Sequence, residues 1–233
     1  NAVVRQQAHI ERFIHVSSSD VYGSAEREPI DESHPLNPTN PYAAAKAGAD
    51  RLVYSYWRTF RIPAVIVRPF NVYGARQHVE KLIPRFITSL LLNEPLTVHG
   101  AGTAARDWLH VDDFCIAIDQ LLQLDLGALE GQVFNIGSGV ATDVLTIARR
   151  LIRLTGEGAA RIEHIADRLG QVAKQVAGVE RARALLRWEP RIELDTGLAR
   201  TVKWYLDNRA WWEPLHRTRR APTMAGRGSV ALQ

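Results

Sequence analysis

Residues 63–74 read PAVIVRPFNVYG. Ala64, Val65, Ile66 and Val67 make a continuous apolar run that is too short for a helix and lacks alternation, which reads as a strand buried on both faces. Strands of that kind belong to parallel sheets with helical crossovers. The residues upstream agree. Asn40-Pro41 is a helix-start signal, with Pro at the first helical position. Ala43, Ala44, Ala45, Ala47 and Ala49 then supply helix propensity, so a long helix is expected over 42–60. Residues 26–41 hold four prolines and read as a loop. Before them, Phe13, Ile14 and Val16 form a second buried strand that runs into Ser17-Ser18-Ser19, and residues 1–10 look like the last turns of a helix. Downstream, the pattern predicts helices over 81–92, 112–124 (capped at or near Asp112), 143–154, 180–186 and 195–208. Strands are expected over 96–99 and 132–136, the latter ending in Gly137-Ser138-Gly139. Strand–helix alternation of this kind predicts an α/β fold.

At 233 residues the chain allows one large domain or two small ones. With 46% apolar and 23% charged residues it is neither disordered nor fibrous in composition. No apolar run approaches the ~20 residues of a membrane span, and the greasiest stretch, 86–92, is interrupted by Thr88 and Ser89. No signal-peptide pattern opens the chain. A single cysteine, Cys115, excludes a disulfide framework and a Cys-rich zinc site, and makes a cytoplasmic setting the default. Cys115 is expected on the apolar face of its helix as a core thiol. The net charge of +4 is local. Residues 213–233 carry four arginines against one glutamate, leaving 25 basic and 24 acidic residues in the rest. That stretch is expected to be a flexible basic tail. Without interleaved aromatics or a basic run to extend it, nucleic-acid binding is disfavoured. His110-Val111-Asp112-Asp113 lacks a third ligand, so a strand end and helix cap are expected there rather than a metal site. Trp204, Tyr205, Trp211 and Trp212 are expected to close a core.

Tyr42 and Lys46 lie four residues apart on one helix and share a face. An ammonium one turn from a phenol favours the phenolate and makes it a useful base. Ser18 stands just past the end of a buried strand, and in doubly wound sheets ligands bind at the carboxyl ends of strands. Hydroxyl, phenol and ammonium can therefore meet at one cleft.

These residues lie in stretches that together resemble the extended short-chain dehydrogenase/reductase family, in its NAD-dependent nucleotide-sugar epimerase/dehydratase branch. The stretches are FIHVSSSDVYG (13–23), PYAAAK (41–46), RPFNVYG (68–74), RDWLHVDD (106–113), FNIGSG (134–139) and Asp167-Arg168, in the family's order. The resemblance implies a Rossmann-like doubly wound parallel sheet with a smaller C-terminal α/β substrate-binding part. Residues 1–78 and 108–140 would be the remainder of the dinucleotide-binding domain, and 79–107 with 141–212 the substrate-binding part. Tyr42 would be the base at the sugar C4 hydroxyl, with Ser18 on the same oxygen, and Lys46 would hold the cofactor ribose. Ser17, Pro69 and Phe70 would lie near NAD. Asn71, Arg106, Arg168 and Asn135 would meet the diphosphate or sugar of a UDP- or dTDP-linked substrate, with bidentate guanidinium suiting phosphate oxygens. Lys81 and Leu82, within EKLIP (80–84), resemble the substrate half of 4,6-dehydratases. Those enzymes carry an Asp-Glu pair after the catalytic hydroxyl, where this chain has Ser19 and Asp20. Asp20 can serve as a base, whereas a serine is a poor general acid. The reading therefore leans to a 4,6-dehydratase, with a 4-epimerase or a UDP-glucuronate decarboxylase as alternatives. The family also implies a homodimer, through the helices at 42–60 and 81–92.

The family's Gly-x-x-Gly-x-x-Gly pyrophosphate turn does not occur in the chain. The expectation is an N-terminal truncation, with on the order of 100 residues missing upstream at ~30 residues per strand–helix–strand unit. A non-catalytic, nucleotide-sugar-binding remnant is accordingly the alternative of another class.

Overall fold

The computed structural model describes residues 2–125, 127, 129–167 and 172–217. In chain order it runs through α1 (Ala2–Arg5), β1 (Phe13–Val16), α2 (Pro41–Phe60), β2 (Ala64–Pro69), β3 (Asn71–Tyr73), α3 (Leu82–Leu91) and β4 (Leu96–His99). It continues with β5 (Ala105–His110), α4 (Val111–Gln123), β6 (Val133–Ile136), β7 (Ala141–Asp143), α5 (Val144–Thr155), β8 (Ile162–Ile165), α6 (Leu194–Asp207) and α7 (Arg209–Arg217). Two compact units result. The first comprises Asn1–Val72, Arg106–Ala141 and Val172–Ile192, and the second Tyr73–Ala105, Thr142–Gln171 and Glu193–Gln233.

The first unit holds a parallel sheet of order β1-β2-β6. Its register pairs Val16 with Val67 and Arg68 with Asn135. Residues 64–68 of β2 are all buried, as the apolar run requires. Helix α2 packs on β2 and on the short 3-10 turn Ser19–Tyr22. Ala43 and Ala47 are buried in its first two turns, and their small side chains permit a close approach. Asn40 caps the helix, its side chain accepting from the Ala43 N–H at 2.9 Å. Val65, Val67, Phe70, Phe134, Ile136, Leu121 and Trp188 form the core. On β6 the Val133 carbonyl accepts from Arg181 and the Asn135 N–H donates to Glu32, so side chains satisfy backbone groups that a bare edge would expose.

Residues 172–192 lie in this first unit and not, as expected, in a substrate-binding part. Gln175 donates to the Gly23 carbonyl at 3.1 Å, the Ala177 N–H to Asp107 at 3.0 Å, and Trp188 Nε1 to the Asp113 carbonyl at 2.9 Å. These partners are remote in sequence, and no local pattern announces them.

In the second unit β4 pairs in parallel with β8, and α3, α5 and α6 pack on one another. Asp143 caps α5 by accepting from the Thr146 N–H at 2.8 Å. Ile83, Phe86, Ile87 and Leu90 of α3 are buried. Tyr205 and Trp212 are fully buried and close the core as expected, whereas Trp211 is exposed.

The cap of α4 is His110, close to Asp112 as expected, its Nδ1 accepting from the Asp112 N–H at 3.2 Å. Two further expectations change. The expected tail begins inside α7, where Glu213 pairs with Arg209, and residues 218–233 of it lie outside the described residues. Cys115 is exposed, because the buried stripe of α4 is Asp113, Ala117 and Leu121 and position 115 lies well off it. The native protein should therefore titrate one thiol with a disulfide reagent before any unfolding, and a thiol that reacts only in denaturant would contradict this placement.

Candidate active site

The site residues of the first unit gather at the carboxyl ends of β1 and β2. Ser17 continues β1, its N–H donating to the Val67 carbonyl at 2.7 Å. Ser18 follows in extended conformation, and its Oγ accepts from the Asp20 N–H at 3.2 Å. Asp20 lies in the turn Ser19–Tyr22, which closes on Gly23. Gly23 has φ +65°, and a Cβ there would fall 1.9 Å from the Asn37 carbonyl oxygen, so only glycine fits the end of this turn.

Across from the turn, α2 presents Tyr42, Lys46 and Asp50 at successive turns of one stripe. Tyr42 is 55% exposed, in the first turn. The Lys46 ammonium donates to the Val16 carbonyl at 3.0 Å, seating the stripe at the end of β1 where the serines begin. Pro69, Phe70 and Asn71 occupy the matching end of β2, where Phe70 is buried. Two polar side-chain atoms here are buried without a hydrogen-bond partner among the described residues, Ser17 Oγ and Asn71 Nδ2. A ligand carrying a hydroxyl and an anionic oxygen would satisfy both.

Arg106, at the start of β5, lies in the field of Asp20. Burial works against its charge, the Asp20 carboxylate partly offsets this, and the guanidinium is held somewhat below its ordinary value. Next to it, Asp107 is fully buried and ties the loop after β6 to the segment 172–192: Oδ1 accepts from the Ser138 N–H and hydroxyl, and Oδ2 from the N–H groups of Gly139 and Ala177.

Asn135 lies on β6. It is fully buried, its Oδ1 accepts from the Tyr22 hydroxyl at 2.7 Å, and its Nδ2 donates to the Ile30 carbonyl at 2.9 Å. Both ends of the amide thus hold a partner inside the protein, which ties Asn135 to the turn that follows Ser18. Ser19 is buried too, with its carbonyl accepting from Gln175 at 3.4 Å. Lys81 and Leu82 stand at the start of α3 in the second unit. Arg168 lies outside the described residues.

His15 was not singled out from the sequence. It sits on β1 with Nε2 buried and unpartnered among the described residues. Burial above all, and the Lys46 ammonium, push its imidazole below the ordinary value against the pull of Asp50, so it is neutral at pH 7. A histidine within an otherwise apolar strand was the available signal. Among the described residues there is no group of three side chains able to hold a metal ion.

The sequence profile described as GDP-mannose 4,6 dehydratase matches residues 2–201. A dTDP-glucose 4,6-dehydratase of Streptomyces niveus is 41% identical over 204 residues, 88% of this chain and 60% of that protein. Among solved structures, a double mutant of the dTDP-glucose 4,6-dehydratase DesIV from Streptomyces venezuelae, with NAD bound, superposes with TM-score 0.85 at 38% identity, covering 91% of this chain and 65% of that one. The UDP-glucuronic acid 4-epimerase of Bacillus cereus, solved with UDP-glucuronic acid and NAD, superposes with TM-score 0.83 at 30% identity, covering 88% and 65%. The chain spans about three fifths of the length of the curated relatives it matches. The parallel α/β, Rossmann-like architecture is shared with these neighbours.

Proposed function

The chain belongs to the GDP-mannose 4,6 dehydratase family, and on that basis we propose that it carries the reacting residues of an NAD-dependent nucleotide-sugar enzyme that oxidises a UDP- or dTDP-sugar at C4. This agrees with the branch its motifs resemble. The observation that carries the reading is the Lys46 ammonium on the Val16 carbonyl, which seats the Tyr42–Lys46 stripe at the strand end from which Ser18 emerges. Tyr42 takes the proton of the C4 hydroxyl, and Ser18 holds the same oxygen. NAD, when bound, supplies the acceptor for the C4 hydride. Lys46, Ser17, Pro69 and Phe70 are the residues that would hold it, and the unpartnered Ser17 hydroxyl suits that role. The resulting 4-ketone acidifies the neighbouring carbon, and Asp20 is the carboxylate assigned to that proton. Asn71 and Arg106 hold the diphosphate, with Lys81, Leu82 and Arg168 completing the substrate set. The first unit thus carries the cofactor residues and the reacting groups, and Lys81 and Leu82 belong to the second.

The reading leans to 4,6-dehydration, the activity borne by the dTDP-glucose 4,6-dehydratases the chain resembles. Ser19 favours epimerisation as a second reading, because a buried hydroxyl in the place of the acid does not readily protonate a leaving oxygen. The same reading makes the protein a cytoplasmic homodimer. It rests on the exposed Leu52 and Phe60 of α2, and no helix among the described residues is long and apolar enough to cross a membrane.

The test supplies the whole protein with NAD and a panel of UDP- and dTDP-sugars, and follows products by mass and NMR. A product lighter by one water supports dehydration, an isomer epimerisation, and loss of carbon dioxide decarboxylation. No product and no NADH with any sugar would sink the reading.

A further inference from the structure

Asp50 lies one turn beyond Lys46 on the stripe of α2 that begins with Tyr42. It is fully buried, and it grips Arg68 of β2 with both oxygens: Oδ2 accepts from Nε and Oδ1 from Nη2, each at 2.9 Å. The remaining Arg68 nitrogen, Nη1, donates to the Tyr22 phenol oxygen at 2.9 Å, and the guanidinium lies 4.9 Å from the centre of the Tyr22 ring. Tyr22 in turn donates to Asn135 on β6. Burial above all pushes the Tyr22 phenol up to about 12 despite the Arg68 charge, so it stays a neutral donor. At Asp50 burial opposes ionisation, but the hydrogen bonds and charge of Arg68, joined by those of the half-exposed Arg51 on Oδ1, outweigh it and hold the carboxyl below the usual carboxylate range.

A buried ion pair is weak as a stabiliser, because desolvation offsets most of its attraction and apolar replacements of similar volume are often neutral. What the pair does supply is geometry, since a bidentate guanidinium–carboxylate contact fixes both distance and angle. Each member is attached to an element that carries site residues. Asp50 shares its helix with Tyr42 and Lys46, Arg68 directly precedes Pro69, and Tyr22 ends the turn that follows Ser18 and holds Asp20. We propose that Asp50, Arg68 and Tyr22 form a positioning network that sets how α2 is rotated and advanced over the strand ends, and so places the Tyr42 oxygen against Ser18 and the reacting sugar carbon. A displacement of ~1 Å at that oxygen is enough to lower turnover about 100-fold.

The proposal rests on the function proposed above, and its test is made on the whole protein. The double variant Asp50→Leu/Arg68→Met removes both charges at similar volume, and Arg68→Lys keeps the charge but loses the fork. Thermal unfolding, NAD affinity, KM and kcat are measured, together with the isotope effect of a sugar deuterated at C4. The double variant should unfold near the wild-type temperature and bind NAD normally, yet lose roughly 100-fold in kcat with KM little changed. The isotope effect should rise as hydride transfer becomes limiting, and Arg68→Lys should fall between the two. Wild-type turnover in a folded double variant, or a loss of kcat that only follows loss of NAD binding and unfolding temperature, would overturn it. If the double variant does not fold, Arg68→Lys decides on the same readouts. If the wild-type protein turns over no sugar, the functional reading fails separately. Hydrogen exchange then decides: faster exchange over residues 43–50 of α2 in these variants, with β2 and β6 unchanged, supports the network, and unchanged exchange defeats it.

Discussion

Tyr42→Phe should lower turnover of the nucleotide sugar by about 10³-fold or more, within the range by which a positioned base accelerates proton transfer. The variant removes one oxygen and keeps the ring. Tyr42 is more than half exposed, so no buried partner is orphaned, and the change in stability should stay within about 0.5 kcal/mol. The loss should fall on kcat, because the hydroxyl acts where the proton leaves, while NAD and sugar nucleotide still bind through other side chains. Steady-state kinetics beside a thermal melt make the check. A folded variant that retains a tenth of the activity would remove Tyr42 from its role, and the proton would have to leave through another group.

Asp107→Asn should destabilise the protein by about 3–5 kcal/mol, although the side chain keeps its size. Asp107 is fully buried and accepts four hydrogen bonds, between 2.6 and 3.0 Å, from three backbone N–H groups and one hydroxyl. An amide offers one oxygen in place of two and turns its NH₂ toward donors. If the oxygen stays with Ser138, the N–H groups of Gly139 and Ala177 are left buried without an acceptor, at about 1–3 kcal/mol each. At roughly 2–4 °C per kcal/mol for a chain of this size, the melting temperature should drop by about 10 °C. A drop below about 2 °C would show that the loop relaxes and that the four bonds act independently of one another. Because Arg106 is the neighbouring residue, weaker binding of the sugar nucleotide should accompany the loss of stability.

The parallel sheet was legible because β2 opens on the apolar run Ala64–Val67 and β6 is apolar but for Asn135, and α2 because Asn40-Pro41 and five alanines mark its start and body. Tyr42, Lys46 and Ser18 were legible from spacing and from the end of β1. The three-residue strands β3 and β7 were not, since each is too short to show a period. Helix α7 was hidden by Pro214 and by the arginines that follow it. Cys115 was misjudged because α4 carries apolar side chains on two faces, and only packing selects the stripe through Ala117 and Leu121. Asn135 was placed near the substrate by the likeness of FNIGSG (134–139) to the family, and such a likeness does not say which atoms the amide meets. Its actual partners, Tyr22 and Ile30, are more than a hundred positions away in sequence, and no local pattern encodes such a pairing.

The return of residues 172–192 to the first unit also governs when that unit can form during synthesis. Asp113 holds the N–H groups of Arg191 and Ile192, and Asp107 that of Ala177. These carboxylates leave the ribosome well before their partners. At ~5–20 residues per second, the interval is several seconds, in which the growing chain carries β6 without Arg181 and two aspartates without the donors that later bury them. The nascent first unit is therefore open during that interval, and a chaperone that shields apolar strand edges should hold it most firmly before residue 192 has emerged.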